Sequence, residues 1–171
     1  MVLENIKAFY INLDFRIDRN RDVQEKLIGL GFKPENINRF SAIDGKELSA
    51  EIENKGLVDS QIIKLIKNKN VVCKSTELAC MLSHYFLLKQ VIQNPNISEN
   101  EIIFIFEDDF FINQKYLEIK TFKQIIEDIE KFSIEQNNNW DMLFLGGRFT
   151  NGFIPKSIND MNILYLYSLR S

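Results

Sequence analysis

Glu101-Ile102-Ile103-Phe104-Ile105-Phe106-Glu107-Asp108-Asp109 is the stretch from which the rest of the chain is read. Residues 102–106 are all β-branched or aromatic. They predict a central strand buried on both faces, as found inside mostly parallel sheets. Three carboxylates follow where that strand must surface. Open α/β sheets bind ligands beyond the carboxyl ends of their strands, so chemistry is expected at this point. Like charges this close repel unless a cation or hydrogen-bond donors offset them. Hard cations such as Mg²⁺ and Mn²⁺ prefer carboxylate oxygens. In an extended segment Glu107 and Asp109 point one way and Asp108 the other, a geometry suited to a cation bridging a diphosphate. A solvated acidic turn closing a core strand explains the same letters equally well.

Upstream of this strand, residues 75–93 form the clearest predicted helix. Ser75 or Thr76 serves as its cap, and Glu77 complements its positive end. Leu78, Leu82, Tyr85, Phe86 and Val91 make it apolar around much of its girth, so it belongs to the core. Ser83 and His84, the chain's one histidine, lie within it, and Cys80 shares a face with His84. From the residues alone, a lone histidine in such a helix reads as structural.

Residues 7–13 predict the first strand, followed by a polar loop and a helix capped by Asp18, ending near Leu30 with Gly31 as its stop. Strand, polar loop and helix open an α/β nucleotide-binding unit. Neither the glycine-rich dinucleotide fingerprint nor the P-loop is present, so those phosphate cradles are disfavoured. Arg16, Arg19 and Arg21 offer donors that match phosphate oxygens, although each alone reads more readily as a solvated charge at the helix N-terminus. Residues 39–43 predict a second strand stopped by Asp44-Gly45. Short helical segments are expected at 49–54 and 59–67, with the lysines around 64–69 read as a solvated connection.

Downstream, residues 116–134 predict an amphipathic helix with Phe122, Ile125, Ile126, Ile129 and Phe132 on one stripe. Residues 140–145 predict a further buried strand ending at Gly146-Gly147, and 163–167 a last strand. The chain is 171 residues long, enough for a single domain with a real core. Its net charge of −3 is mixed along the chain, which argues against a nucleic-acid surface. No apolar stretch approaches the roughly 20 residues that span a bilayer. No signal peptide is recognisable, so a cytoplasmic location is expected. Cys73 and Cys80 are expected as small buried thiols, since two cysteines and one histidine cannot furnish a four-ligand structural zinc site.

Five blocks occur in a recognisable order. They are Tyr10-Ile11-Asn12-Leu13-Asp14 with Arg16 and Arg19; Ala42-Ile43-Asp44-Gly45; Glu77-Leu78-Ala79-Cys80 with Ser83-His84; Phe106-Glu107-Asp108-Asp109; and Trp140-Asp141 with Leu145-Gly146. Together they resemble glycosyltransferase family 25, which includes lipooligosaccharide galactosyltransferases and collagen hydroxylysine galactosyltransferases. The resemblance implies an α/β, GT-A-type nucleotide-sugar-binding fold with a mostly parallel central sheet flanked by helices. It also implies a UDP-sugar donor, Mn²⁺ or Mg²⁺, inversion at the anomeric carbon, and a glycan or collagen-like acceptor. By the same match, Asp108 and Asp109 are metal-ligand candidates, with Glu107 reaching the ribose or a metal-bound water. Asn12, Asp14, Arg16 and Arg19 would flank the nucleotide, and Ser83 and His84 would face the same pocket.

Two departures accompany the resemblance. Thr76 and Ala79 stand where the family usually has glycine, altering close backbone approach to the donor. The chain also stops at Ser171, soon after Leu-Gly, where family members continue into an acceptor segment. The expectation is therefore one domain over residues 1–171, with C-terminal truncation left open. The general base an inverting transferase needs has one in-chain candidate, Asp141. An inactive nucleotide-sugar-binding module, or a subunit of a larger transferase, is the competing reading. Metal-dependent phosphoryl or nucleotidyl transfer on a similar scaffold is a third.

Overall fold

The computed structural model describes residues 5–48, 75–98, 101–112, 121–135, 142–144, 156–158, 161–163 and 165–167. The chain divides into two compact units, one spanning Glu4–Ile112 and the other Met1–Leu3 with Asn113–Ser171. The first is an α/β layer structure. In chain order it contains β1 (Lys7–Asn12), α1 (Ile17–Gly29), a 3₁₀ turn (Pro34–Asn36), β2 (Ile37–Ser41), α2 (Ser75–Ile92) and β3 (Ile103–Glu107). The three strands form an all-parallel sheet in the order β2-β1-β3. This is an α/β fold with a parallel sheet flanked by helices, as the sequence predicts.

Among the described residues the inner strand is β1 and not the expected β3. β1 is buried along almost its whole length, whereas β3 is half-buried and, among the described residues, pairs with β1 alone. Sheet order is set by nonlocal pairing, and an apolar run does not reveal which strand lies inside. Side chains of β1 alternate between two helical layers. Phe9 and Ile11 pack with Leu87 and Val91 of α2, joined by Ile103 and Ile105 of β3. On the opposite face Tyr10 is fully buried, its hydroxyl donating to Asn20 Oδ1 at 2.7 Å and accepting from Gln24 Nε2 at 2.8 Å. That pair latches α1 onto the sheet. Phe32 closes the same face edge-on against Phe104 and Phe106.

α1 departs from the expected start. Arg16, not Asp18, is its cap residue; Asp18 lies in the first turn, gripped by the Arg16 guanidinium at 2.9 and 2.7 Å. This fork holds the Asp18 carboxyl well below the usual carboxylate range. The predicted stop holds. Gly31 takes φ 101°, and the amides of Gly31 and Phe32 bond back to Ile28 and Leu27, closing a Schellman motif. β2 begins two residues earlier than expected, because the 3₁₀ turn delivers Ile37 into register with Ala8.

α2 matches its predicted span within one residue. Ser83 is buried within it; its hydroxyl donates to Ala79 O at 2.7 Å and accepts the Ile43 amide at 2.9 Å. The loop after β2 is thereby pinned to the helix. A Cβ at Gly45 would lie 2.7 Å from Thr76 Cα, so glycine permits the loop to touch the helix's first turn.

The second unit contains α3 (Phe122–Glu135) and the short strands β4 (Met142–Phe144), β5 (Lys156–Ile158), β6 (Met161–Ile163) and β7 (Tyr165–Tyr167). α3 begins at Phe122, and residues 116–120 of the predicted span lie outside the described residues. Thr121 and Gln124 form a reciprocal capping box, Thr121 N–H to Gln124 Oε1 at 2.8 Å and Gln124 N–H to Thr121 Oγ1 at 3.3 Å. β4 pairs antiparallel with β7, and β5 with β6; the predicted last strand over 163–167 takes in the end of β6 and all of β7, with residue 164 outside the described residues. The predicted helical segments at 49–54 and 59–67 lie outside the described residues, as do Cys73, Trp140, Asp141 and Gly146-Gly147. Among the described residues, no helix is long and apolar enough to cross a membrane.

Candidate functional site

The strand order creates the site. After β1 the chain moves to one side to make β2, then returns to make β3 on the other side. β1 and β3 run parallel and pair directly, so their carboxyl ends lie side by side, the place where open α/β sheets bind ligands. Leu13 to Asp14 emerge from β1, and Glu107 to Asp109 from β3.

Asn12 is the hub of these strand ends. It is buried, and its amide makes three hydrogen bonds. Nδ2 donates to Asp108 Oδ2 at 2.9 Å and to Arg16 O at 3.2 Å, while Oδ1 accepts from Arg39 Nε at 3.0 Å. One orientation of the amide satisfies every partner, since carboxylate and carbonyl need donors and guanidinium an acceptor. Arg39 also donates to Asn12 O at 3.1 Å and to Asp14 Oδ1 at 2.5 Å, and Ser41 adds a bond to the same Asp14 oxygen. Asp14 is thus tied to the end of β2 rather than to the acidic cluster.

The carboxylates separate by face. Asp108 turns to the α1 side, where Arg19 Nη1 lies 2.8 Å from Oδ1, and its side chain is only 12% exposed. Glu107 turns to the α2 side, where His84 Nε2 lies 3.3 Å from Oε1. The hydrogen bond from His84 holds the Glu107 carboxyl below its usual value, against the opposing effect of desolvation. Asp109 does not continue the alternation expected of an extended segment. The strand ends at Glu107, and a turn closed by Phe110 N–H to Glu107 O at 3.3 Å brings Asp109 Oδ2 within 3.5 Å of Arg19. Lys26 fastens that turn to α1, donating to Phe110 O at 3.0 Å with its ammonium 5.3 Å from the Phe110 ring centre.

Of the residues singled out from sequence, Asn12, Arg19 and Asp108 form one bonded knot, with Asp109 at its edge. His84 and Glu107 form a second pair. Arg16 touches the knot through its backbone carbonyl, its guanidinium being spent on Asp18. Ser83 is taken up in holding Ile43 and lies inside the helix packing. Asp141 lies outside the described residues. Arg39 was missed by sequence reasoning. The parallel register that sets it opposite Tyr10 is nonlocal, and its only local signal was a charge within a predicted strand. Cys80 was missed too, and its expected burial is wrong: it is exposed. One helical turn before His84, its thiol is raised in pKa by partial desolvation and by the negative charges of Glu107 and Asp109.

The arrangement can bind a negatively charged ligand through the Arg19 fork and a cation through the solvent-facing carboxylates. A model of glycosyltransferase family 25 (LPS biosynthesis protein) matches residues 5–157. No curated protein and no solved structure matches the chain.

Proposed function

Because this chain belongs to glycosyltransferase family 25, we propose that it transfers a hexose from a UDP-sugar to a saccharide hydroxyl with inversion at the anomeric carbon. The observation that carries this reading is the Asn12–Arg19–Asp108 knot at the adjoining carboxyl ends of β1 and β3. Arg19 is held there by carboxylates, and its planar fork matches the oxygens of a diphosphate. Asn12, Asp14 and Arg16 adjoin the same strand ends and would flank the nucleotide. Ser83 is buried inside α2, and His84 stands on that helix beside Glu107.

The residues fit a hard divalent cation such as Mn²⁺ or Mg²⁺. Asp109 is 60% exposed and Asp108 adjoins it, a set suited to an ion held by one or two carboxylates and completed by phosphate oxygens and water. Asp108 and Asp109 would hold the ion, with Glu107 reaching the ribose or a metal-bound water. Such an ion neutralises charge on the departing diphosphate. The chain's own part is to orient the donor through Asn12 and Arg19 and to accept a proton. The acceptor oxygen bonds to the anomeric carbon as the bond from that carbon to the diphosphate breaks, releasing UDP. The hydroxyl proton passes to a base, for which Asp141 is the candidate. The family's description favours a lipopolysaccharide-type saccharide over a collagen-like hydroxylysine as acceptor.

The test is incubation of the purified chain with UDP-hexoses, Mn²⁺ and saccharide acceptors, with products identified by mass spectrometry. Glycosylated acceptor and UDP in equal amounts are expected. A phosphorylated or nucleotidylated acceptor, or donor left intact with every acceptor, would overturn the proposal.

A further inference from the structure

Cys80, His84 and Glu107 present one sulfur, one nitrogen and one oxygen ligand atom, all within 4.8 Å of one another. Among the described residues this is the one set of three potential ligands that converges so closely, and the three carboxylates 107–109 do not. The geometry points to a second cation site here, one that takes a borderline transition ion such as Zn²⁺ or Co²⁺ rather than Mg²⁺.

Four features carry this. The i, i+4 spacing on α2 sets Cys80 and His84 one turn apart on one face, and the carboxyl end of β3 brings Glu107 to that face. His84 Nε2 and Glu107 Oε1 already meet at 3.3 Å, so an ion between them takes the place of a shared proton. The donor set is mixed: thiolate and imidazole select zinc-like ions, whereas magnesium prefers oxygen alone. All three residues are at least partly exposed, which leaves room for water or a ligand in the fourth position of a tetrahedral ion. On binding, the Cys80 S–H bond breaks, sulfur bonds to the metal, and the thiol proton leaves to solvent together with any proton held between His84 and Glu107. Asp109 adds nearby negative charge without being required as a ligand. The site rests on these side chains and not on sugar transfer, so it stands or falls separately from the proposed activity.

The test is titration of the reduced, metal-free 171-residue chain with Co²⁺, followed by absorbance. A thiolate-to-cobalt charge-transfer band saturating at one ion per chain is expected. Cys80→Ser should abolish it and Cys73→Ser should leave it intact, while His84→Gln and Glu107→Gln should each weaken binding at least about tenfold, since losing even a group that only supports a ligand from behind costs about 10–100-fold. Zn²⁺ should displace Co²⁺, and excess Mg²⁺ should not. In the unmutated chain, alkylation followed by peptide mass spectrometry should show Co²⁺ protecting Cys80 and not Cys73. Absence of the band, its survival in Cys80→Ser, or protection of Cys73 instead would overturn the site, whatever the outcome of transferase assays.

Discussion

Asp108 and Asp109 are adjacent in sequence and opposite in circumstance. Asp108 is nearly enclosed, with one oxygen on Arg19 and the other on Asn12; Asp109 is mostly in water, with Arg19 at 3.5 Å. Removing charge from the first loosens a bonded knot, whereas removing it from the second relieves mutual repulsion and breaks little. Asp108→Asn is therefore expected to cost about 1–2 kcal/mol by urea unfolding, limited by the solvent access of Arg19. Asp109→Asn should stay within about 0.5 kcal/mol of the parent. Calorimetry should nonetheless show that Asp109→Asn no longer gains UDP affinity from Mn²⁺. Unfolding of that variant, with Mn²⁺-dependent binding preserved on refolding, would make Asp109 structural. His84 is tested by the same contrast. It is part-exposed and reaches Glu107 rather than the helix core, so His84→Gln should scarcely alter the melting temperature. Donor affinity should fall by about 1–3 kcal/mol if it serves the pocket. A large drop in melting temperature with unchanged affinity would restore the structural reading.

At the scale of elements, the loop after β2 is held to α2 by two devices that behave differently on substitution. Ser83→Ala leaves the Ile43 amide buried without its acceptor, at about 1–3 kcal/mol. Gly45→Ala drives a methyl into Thr76 backbone that cannot rotate away, again about 1–3 kcal/mol. Neither should change the dissociation constant for UDP-sugar measured on folded protein. Lost affinity with intact stability in Ser83→Ala would instead put that hydroxyl in the pocket. These joints explain what was legible in the sequence. α2 and β1 were readable because their apolar patterns are long and local, and Gly31 because a left-handed residue closes α1. The start of α1 was not, because the Arg16 fork claimed the carboxylate expected to cap it. The Thr121–Gln124 box was a local signal available but unused. Arg39 and the order of the strands depend on register between distant segments, which residue patterns do not encode.

Across the unit Glu4–Ile112, β3 is anchored by carboxylates at both ends. Glu101 before it pairs with Lys7 at the start of β1, and Glu107 at its close pairs with His84 of α2. Both carboxyls are held below their ordinary value of 4.5, Glu101 first by the hydrogen bond from Lys7 and Glu107 first by that from His84. A carboxyl whose folded pKa is depressed binds fewer protons folded than unfolded. Its contribution is therefore complete above the unfolded value and disappears as pH falls through the folded one. The sheet should lose both anchors together in acid, with little change at neutral pH. The urea midpoint is expected to be level between pH 7 and pH 6 and to drop below about pH 4.5, where these groups begin to bind protons on unfolding. Glu101→Gln should reduce that drop by removing one of the two linked groups, and the double variant with Glu107→Gln should reduce it further. Salt should flatten the profile as well, because both pairs meet solvent and are screened. A midpoint that falls equally steeply in the double variant would show that the acid sensitivity arises elsewhere and that β3 is held by its apolar face alone.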